Sequence, residues 1–394
     1  MNPDVVIVDG LRTPFADWNG RLADLSAIQL GAEVVRALLD RVGLPADAVD
    51  HVVFGNALQT SGDAIYGARH VALRAGLPVE VPAYTVNRLC GSGIQSIVEA
   101  VQMIRLGEAR WVIAGGMENM SQAPHVVWGL RRGVRFGEGL KLQDWLWLAL
   151  RDTVCGLLMA ETAEKLARIY GIPRSEQDEY AYRSHMAAVR AREAGFFRDE
   201  ILPLRVSWKG REETFDWDDH VRPDTTLEKL AGLRPYFSED GFVTPGNASG
   251  IVDGAAALLV TTAEEARAAG KKPLGRILGW AVAGVPPDVM GIGPVPAIRK
   301  LLNRLGLRPD DIHRWEINEA FAAQYLAVER LLELDRSRVN VNGGAIAIGH
   351  PLGATGTRLV LTLLRELRRS GLRYGIASAC IGGGQGIAIA VEAL

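Results

Sequence analysis

Two kinds of apolar segment alternate along the chain. Short, continuously apolar runs such as VVIVDG and GIAIAV read as strands buried on both faces. Helical patterns lie between them: LLDRV and LLNRL each end one, at a Gly-Leu turn. Two further helices, GIQSIVEAVQMI and GTRLVLTLLREL, are apolar nearly all round, as expected of helices enclosed between two sheets. Strands and helices joined by glycine-rich turns predict an α/β architecture.

The pattern occurs twice. LLDRVGLPADAVD (38–50) and LLNRLGLRPDDIH (301–313) agree at six of thirteen positions, and each leads into a strand-like run. The same offset, 353 − 90 = 263, places Cys90-Gly91-Ser92-Gly93 on Gly353-Ala354-Thr355-Gly356. In both copies a Gly-rich loop opens an apolar helix, and a strand follows, WVIAGGM or YGIASACIGGG. Three elements in one order and register indicate internal duplication.

One insertion separates the copies. After CIGGGQG the second copy passes straight to its last strand, whereas after GGMEN the first runs on for over a hundred residues. The expected organisation is a first half over 1–119 and 247–270, an inserted unit over 120–246, and a second half over 271–394. The insertion holds helical segments, many charges and five of the nine tryptophans, and an insertion between scaffold strands is a usual place for binding. A pseudo-twofold relation between the halves would bring the loops of Cys90, Asn318, His350 and Cys380 together.

Charge narrows the partners. The formal net charge of −2 over 394 residues argues against a nucleic-acid binder. No run of about 18 apolar residues predicts a membrane span. MNPDVVIVDG has neither the basic nor the apolar part of a secretory leader and reads as a strand from its start. Three cysteines in a chain of this size make no disulfide framework, so a cytoplasmic setting is expected. There is no CxxC, no HxxxH and no Walker lysine, so metal, phosphate-hydrolysing and nicotinamide chemistry are not indicated.

Four residues carry candidate chemistry. Cys90, in NRLCGSG, stands at a helix start, where the helix dipole is expected to lower its pKa toward a thiolate nucleophile. His350, in NGGAIAIGHPLGATG, is held on a tight turn from which it can take and return a thiol proton. Cys380 precedes a glycine loop whose N–H groups can bind an oxyanion. Asn318, in INEAFA, sits at a strand-to-helix junction. Each has an ordinary local alternative. The cysteines fit small buried hydrophobes, His350 fits a turn histidine, and Asn318 fits a helix N-cap, the reading its position favours. Cys155 and the other six histidines lack comparable surroundings and read as structural or surface residues.

Taken together, these segments resemble the thiolase family. NRLCGSG, GGMENMSQAPH, GNASGIVDGAAA, VMGIGPVPA, INEAFA, NVNGGAIAIGHPLGATG and CIGGGQG stand in the family's order and spacing across nearly the whole chain. The resemblance implies a thiolase fold: duplicated βαβαβαββ halves in α-β-α-β-α layers, with an inserted loop domain. It implies an acyl-CoA C-acyltransferase that uses coenzyme A as substrate, with no tightly bound cofactor and no metal. Residue by residue, it makes Cys90 the acylated nucleophile, His350 its activating base and Cys380 the second acid/base. Asn318 would fix a water that, with His350, binds a thioester oxygen. The N–H groups of Cys90 and Gly382 would form a second oxyanion hole. For coenzyme A it implies Arg222 on the adenine, Ser249 on the pantetheine arm, and Phe237 and Phe321 along its tunnel. Met290 falls near the acyl end, and Met159, in MAETAEKLA, among the residues that bind substrate or coenzyme A.

The resemblance has departures. Ala160 replaces a usual glycine, Leu158 a polar residue or histidine, and Val252 a common asparagine. All three bear on the pantetheine and acyl pocket, and so on chain length. Arg131, Arg132 and Arg135 add positive charge to the loop, as a solvated face or a phosphate contact. A homo-oligomer is implied, dimer or tetramer, since MSQAPHVVWGLRRGVRFGEGL resembles the family's tetramer-forming segment. Two other readings remain: another condensing enzyme of the superfamily, against which Cys380 argues, and an inactive scaffold, against which the intact set of four argues.

Overall fold

The computed structural model describes residues 3–394; Met1 and Asn2, expected at the head of the first strand, lie outside them. The first half runs β1 (Val5–Arg12), α1 (Ala27–Val42), β2 (His51–Gly55), α2 (Gly67–Ala75), β3 (Ala83–Val86), α3 (Ser92–Leu106) and β4 (Val112–Glu118). The insertion follows, with α4 (Met159–Ile169) and α5 (Arg174–Glu193), before β5 (Val252–Thr262) completes the half. The second half runs β6 (Gly275–Gly284), α6 (Pro294–Leu305), β7 (Arg314–Ile317), α7 (Ala322–Leu332), α8 (Leu352–Arg369), β8 (Tyr374–Ile381) and β9 (Gln385–Ala393).

The duplication is visible in the hydrogen bonding. The strands lie in the order β7-β8-β9-β6-β1-β5-β4-β2-β3, so each half repeats one order outward from the centre. The two sheets meet where β1 and β6 pair antiparallel, Val6 with Arg276 and Ile7 with Gly275. The counterpart of β3 in the second half shrinks to one parallel bridge between Trp315 and Val339. Both central strands carry an irregularity at the matching place, between Ile7 and Asp9 and between Ile277 and Gly279. Both α1 and α6 end on a left-handed glycine, Gly43 at φ 63° and Gly306 at φ 65°.

Helices cover both faces of each sheet. α1 and α2 bury Val34, Val35 and Val71 outside the first sheet, and α6 and α7 bury Ile298, Leu301 and Leu326 outside the second. Between the sheets lie α3 and α8, whose Ile97, Val101, Leu359 and Leu363 share one core with Ile387 and Ile389. These two helices touch at Gly93 and Gly356, which the offset of 263 makes equivalent. A Cβ on Gly93 would lie 2.4 Å from the Thr357 nitrogen, and one on Gly356 would lie 2.4 Å from the Ile94 nitrogen. Equivalent residues in mutual contact sit on the pseudo-twofold axis, and only glycine lets the backbones approach so closely.

Pieces of the insertion grip both halves. α4 and α5 pack Ala163, Leu166 and Ala181 against Ile298 and Tyr325, while the hairpin Leu204–Trp208/Arg211–Phe215 adds Val206 and Phe215 to the first half's core. Fully buried Arg12, on β1, reaches Glu200 at 2.8 Å and Asp218 at 2.6 Å. Among the described residues no helix is long and apolar enough to cross a membrane.

Candidate active site

Cys90 lies in a tight turn, Leu89–Gly91, just before α3. Leu89 takes a left-handed backbone, φ 46°, an unusual state for a branched side chain. Its cost is offset locally: the Asn87 side chain accepts from the Leu89 N–H at 2.9 Å, and Ser92 donates to the Leu89 carbonyl at 2.7 Å. The turn presents the thiol to the second half. The N–H groups of Gly382 and of Cys90 itself act on the thiol and favour its ionised form.

The state of that thiol corrects the sequence reading. Burial pushes it up to about 11; the two N–H donors work against this, and the charge of Glu118 adds to it. Desolvation outweighs the helix start, so the resting group is a neutral thiol. Burial and the neighbouring Cys90 also raise the Cys380 thiol, which is wholly enclosed near the end of β8.

His350 is buried on the turn leading into α8, with its own N–H tied to the Gly250 carbonyl at 3.0 Å. Its Nδ1 lies 2.6 Å from Thr355 Oγ1, and that hydroxyl donates to the Pro351 carbonyl at 3.1 Å. With its proton spent there, Thr355 accepts from Nδ1–H. The free lone pair of the ring is therefore on Nε2. Burial, together with the positive charge of Arg358, lowers the imidazole to about 3, so it rests neutral and can accept a proton at Nε2.

Asn318 sits 3.3 Å from that nitrogen through its Nδ2. Its main chain extends the pairing of β7 with β8, the Asn318 N–H bonding the Ser378 carbonyl at 2.9 Å. The capping role favoured from sequence is not observed: α7 begins after Phe321, with no side-chain cap. Asn318 Oδ1 is buried and finds no hydrogen-bond partner among the described residues. The side chain is positioned for the site, and a further polar group can be held between it and His350.

Other expected residues gather around Cys380. Met290 and Ala320 share its apolar cluster, with Met159 and Phe321 packed against them. A Cβ on Gly382 would lie 3.2 Å from the Met159 sulfur and 3.4 Å from Leu89, so the space over Cys90 is narrow. The Ser249 N–H bonds the Ala320 carbonyl at 3.0 Å, joining the NASG turn to this wall. Phe237 packs with Tyr236 on the outer side of the second half. Arg222 is half-exposed, its guanidinium 2.7 Å from Asp17. Arg131, Arg132 and Arg135 are exposed. Cys155 is half-buried and free.

Some site residues were not anticipated. Thr355 is one: its place in the first turn of α8, five residues after His350, was the available signal. His220 is another. It pairs with Asp17 and packs where a Cβ on Gly250 would lie 2.6 Å from its ring. His185 is buried behind it, lowered to about 3 by burial and by the charges of His220 and Arg222, and accepts from the Arg222 N–H at 3.2 Å. These two histidines shape the Arg222 segment, the structural alternative of the two expected for them. Among the described residues no group of His, Cys, Asp and Glu could hold a metal ion.

Comparisons with known proteins show the family of the chain. The thiolase N-terminal domain matches residues 5–264, and the thiolase C-terminal domain matches residues 271–393. The chain is 50% identical over 388 residues to the mitochondrial 3-ketoacyl-CoA thiolase of Homo sapiens, covering 98% of each. It is 49% identical over 391 residues to an acetyl-CoA acetyltransferase of Pseudomonas aeruginosa, again covering 98% of each. The crystal structure of the human mitochondrial 3-ketoacyl-CoA thiolase in complex with CoA superposes with a TM-score of 0.97, at 49% identity, over 100% of this chain and 98% of that one. The fold expected from sequence is the fold found, and the chain belongs to the thiolase family.

Proposed function

We propose that this chain catalyses the reversible thiolytic cleavage of 3-ketoacyl-CoA, and in reverse the Claisen condensation of acetyl-CoA, through an acyl group on Cys90. The observation that carries this reading is the hydrogen-bonded run from Thr355 through His350 to Asn318, which leaves the unprotonated Nε2 in a buried site. Cys90 and Cys380 lie within electrostatic reach of each other.

The resting thiol and imidazole are both neutral, so His350 takes the proton as Cys90 attacks the ketone. Carbon–carbon cleavage leaves an acetyl-CoA carbanion, which Cys380 protonates. The acyl group then passes to free CoA, giving ping-pong kinetics. The N–H groups of Cys90 and Gly382 stabilise the oxyanion at the acyl group, and His350 with Asn318 stabilise the enolate oxygen. One such donor is worth roughly 3–4 kcal/mol. The raised pKa of Cys380 suits a group that must pull a proton from a weakly acidic carbon.

Arg222, Ser249, Phe237 and Phe321 are the proposed contacts of coenzyme A. Met159 and Met290, next to Cys380, limit the acyl end. We place the protein in the cytoplasm as a homo-oligomer, although the human relative is named as mitochondrial. The half-exposed edge strand β3 and the exposed Ile65 and Tyr66 support self-association. Exposed Trp128 and Phe136, in the segment resembling a tetramer-forming loop, support a tetramer.

The test is loss of acetoacetyl-CoA enolate absorbance on adding CoA. Turnover is expected, and comparison with a medium-chain 3-ketoacyl-CoA ranks chain length. Folded protein inactive at every chain length would overturn the reading.

A further inference from the structure

One buried carboxylate has no part in the chemistry above. Glu118 closes β4 and is wholly enclosed. Its Oε1 accepts from Asn56 Nδ2 at 2.7 Å and from the Leu58 N–H at 2.9 Å. Its Oε2 accepts from the Ala57 N–H at 3.0 Å and from the Gly353 N–H at 2.8 Å. The first three donors belong to the loop after β2. The fourth belongs to the other half, in the first turn of α8.

The pseudo-twofold axis makes this contact informative. Gly353 is the equivalent of Cys90, and Glu118 is the equivalent of Ile381, since 118 + 263 = 381. Each central helix thus pushes its start into the far half. At one start, Gly91 packs on Ile381, and the N–H of the next residue, Gly382, acts on the Cys90 thiol. At the other, Gly353 packs on Gly55 and Met117, and Glu118 takes its N–H. One helix start faces a site for an oxyanion; the other already holds an anion. A negative charge there is stabilised by the dipole of α8.

We propose that Glu118 is a positioning residue: an internal anion that caps α8 from the opposite half and fixes the His350 turn relative to Cys90. His350 lies three residues before Gly353, so whatever fixes the start of α8 fixes its turn. The Ala57 carbonyl also accepts from Asn87 Nδ2 at 3.1 Å, and Asn87 is the residue that supports strained Leu89. Glu118 therefore reaches both the nucleophile turn and the base turn. Burial pushes its carboxyl up to about 7. All four of its partners are donors, however, so the site is built for the ionised form.

This rests on Cys90 being the nucleophile, and the experiment separates the two ideas. Cys90 is alkylated with iodoacetamide across pH, with the site read by mass spectrometry, alongside thiolysis of acetoacetyl-CoA. The groups acting electrostatically on the Cys90 thiol are Glu118 on β4 and Cys380 on β8; Asp253, on β5, acts on Glu118. Glu118→Gln keeps the shape, removes the charge and turns an amide toward two donors. It should lower kcat by about tenfold or more while the KM for CoA stays within about twofold. It should also move the Cys90 alkylation midpoint to lower pH by about half a unit or more, because the like charge is gone. Glu118→Asp keeps the charge at a shorter reach, so its midpoint should stay while kcat falls. Wild-type kcat in folded Glu118→Gln overturns the proposal, and so does a fall in kcat with no shift in midpoint. Where Glu118→Gln does not fold, Glu118→Asp decides: wild-type kcat overturns the proposal, and reduced kcat at an unchanged midpoint supports it. Failure to alkylate Cys90 in any form counts against the catalytic reading instead.

Discussion

The two halves share a strand order, a strand irregularity and a left-handed helix end, yet they supply the site unequally. The first half gives Cys90 and the strained turn that presents it. The second half gives Asn318, His350 and Cys380. At equivalent helix starts, one half has a cysteine and the other has glycine facing a carboxylate. A symmetric scaffold brings the loops together, and the chemistry depends on where the symmetry is broken. The proposed nucleophile must be brought up against the groups that move protons, and two halves meeting face to face provide that approach.

Substitutions can test this division from the largest effect to the smallest. Replacing the base in the second half, His350→Ala, should cut kcat for acetoacetyl-CoA thiolysis by about a thousandfold or more. A variant that keeps even a tenth of wild-type turnover would move the base elsewhere. Asn318→Ala removes the amide beside Nε2 and should cost about a hundredfold in condensation of acetyl-CoA, with the protein still folded. Gly93→Ala and Gly356→Ala test the axis itself. Each places a Cβ 2.4 Å from a backbone nitrogen of the other helix, so each should cost about 2 kcal/mol or more in urea unfolding. Unequal losses would mean that the two positions are not symmetric in energy.

Thr355→Val removes the acceptor for Nδ1–H together with the hydroxyl's bond to the Pro351 carbonyl. The imidazole can then take the other tautomer, and kcat should fall by about tenfold with unfolding midpoints little changed. The smallest effect concerns pH. His350 is held near 3, below its unfolded value of 6.5. Its contribution to stability is therefore complete above 6.5 and is lost as pH falls through that window toward 3. His350→Gln should flatten the slope of unfolding free energy there; an unchanged slope would show that the imidazole is not held neutral by the fold.

Much of this was legible in the chain because the chain says it twice. Apolar strands, Gly-Leu helix ends and the offset of 263 gave the two halves and the burial of α3 and α8. Cys90, His350 and Cys380 stood out through their glycine-rich settings, whereas Asn318, in INEAFA, has none. What sequence could not give depends on burial and on contacts between halves. The Cys90 thiol was expected to be acidified by its helix start, but desolvation reverses that balance. Asn318 reads locally as a cap, since nothing nearby in sequence shows that His350 lies beside it. Glu118 offered one clue: a carboxylate closing a wholly apolar strand must find donors. Which donors they are appears only when Gly353 arrives from the other half.

Everything proposed for the site depends on a division of labour between the two cysteines. Brief incubation with acetyl-CoA, acid quenching and peptide mass spectrometry test it most directly. A labile acetyl group is expected on Cys90, absent in Cys90→Ser and retained in Cys380→Ser. An acetyl group on Cys380, or none on either cysteine in active enzyme, would contradict it.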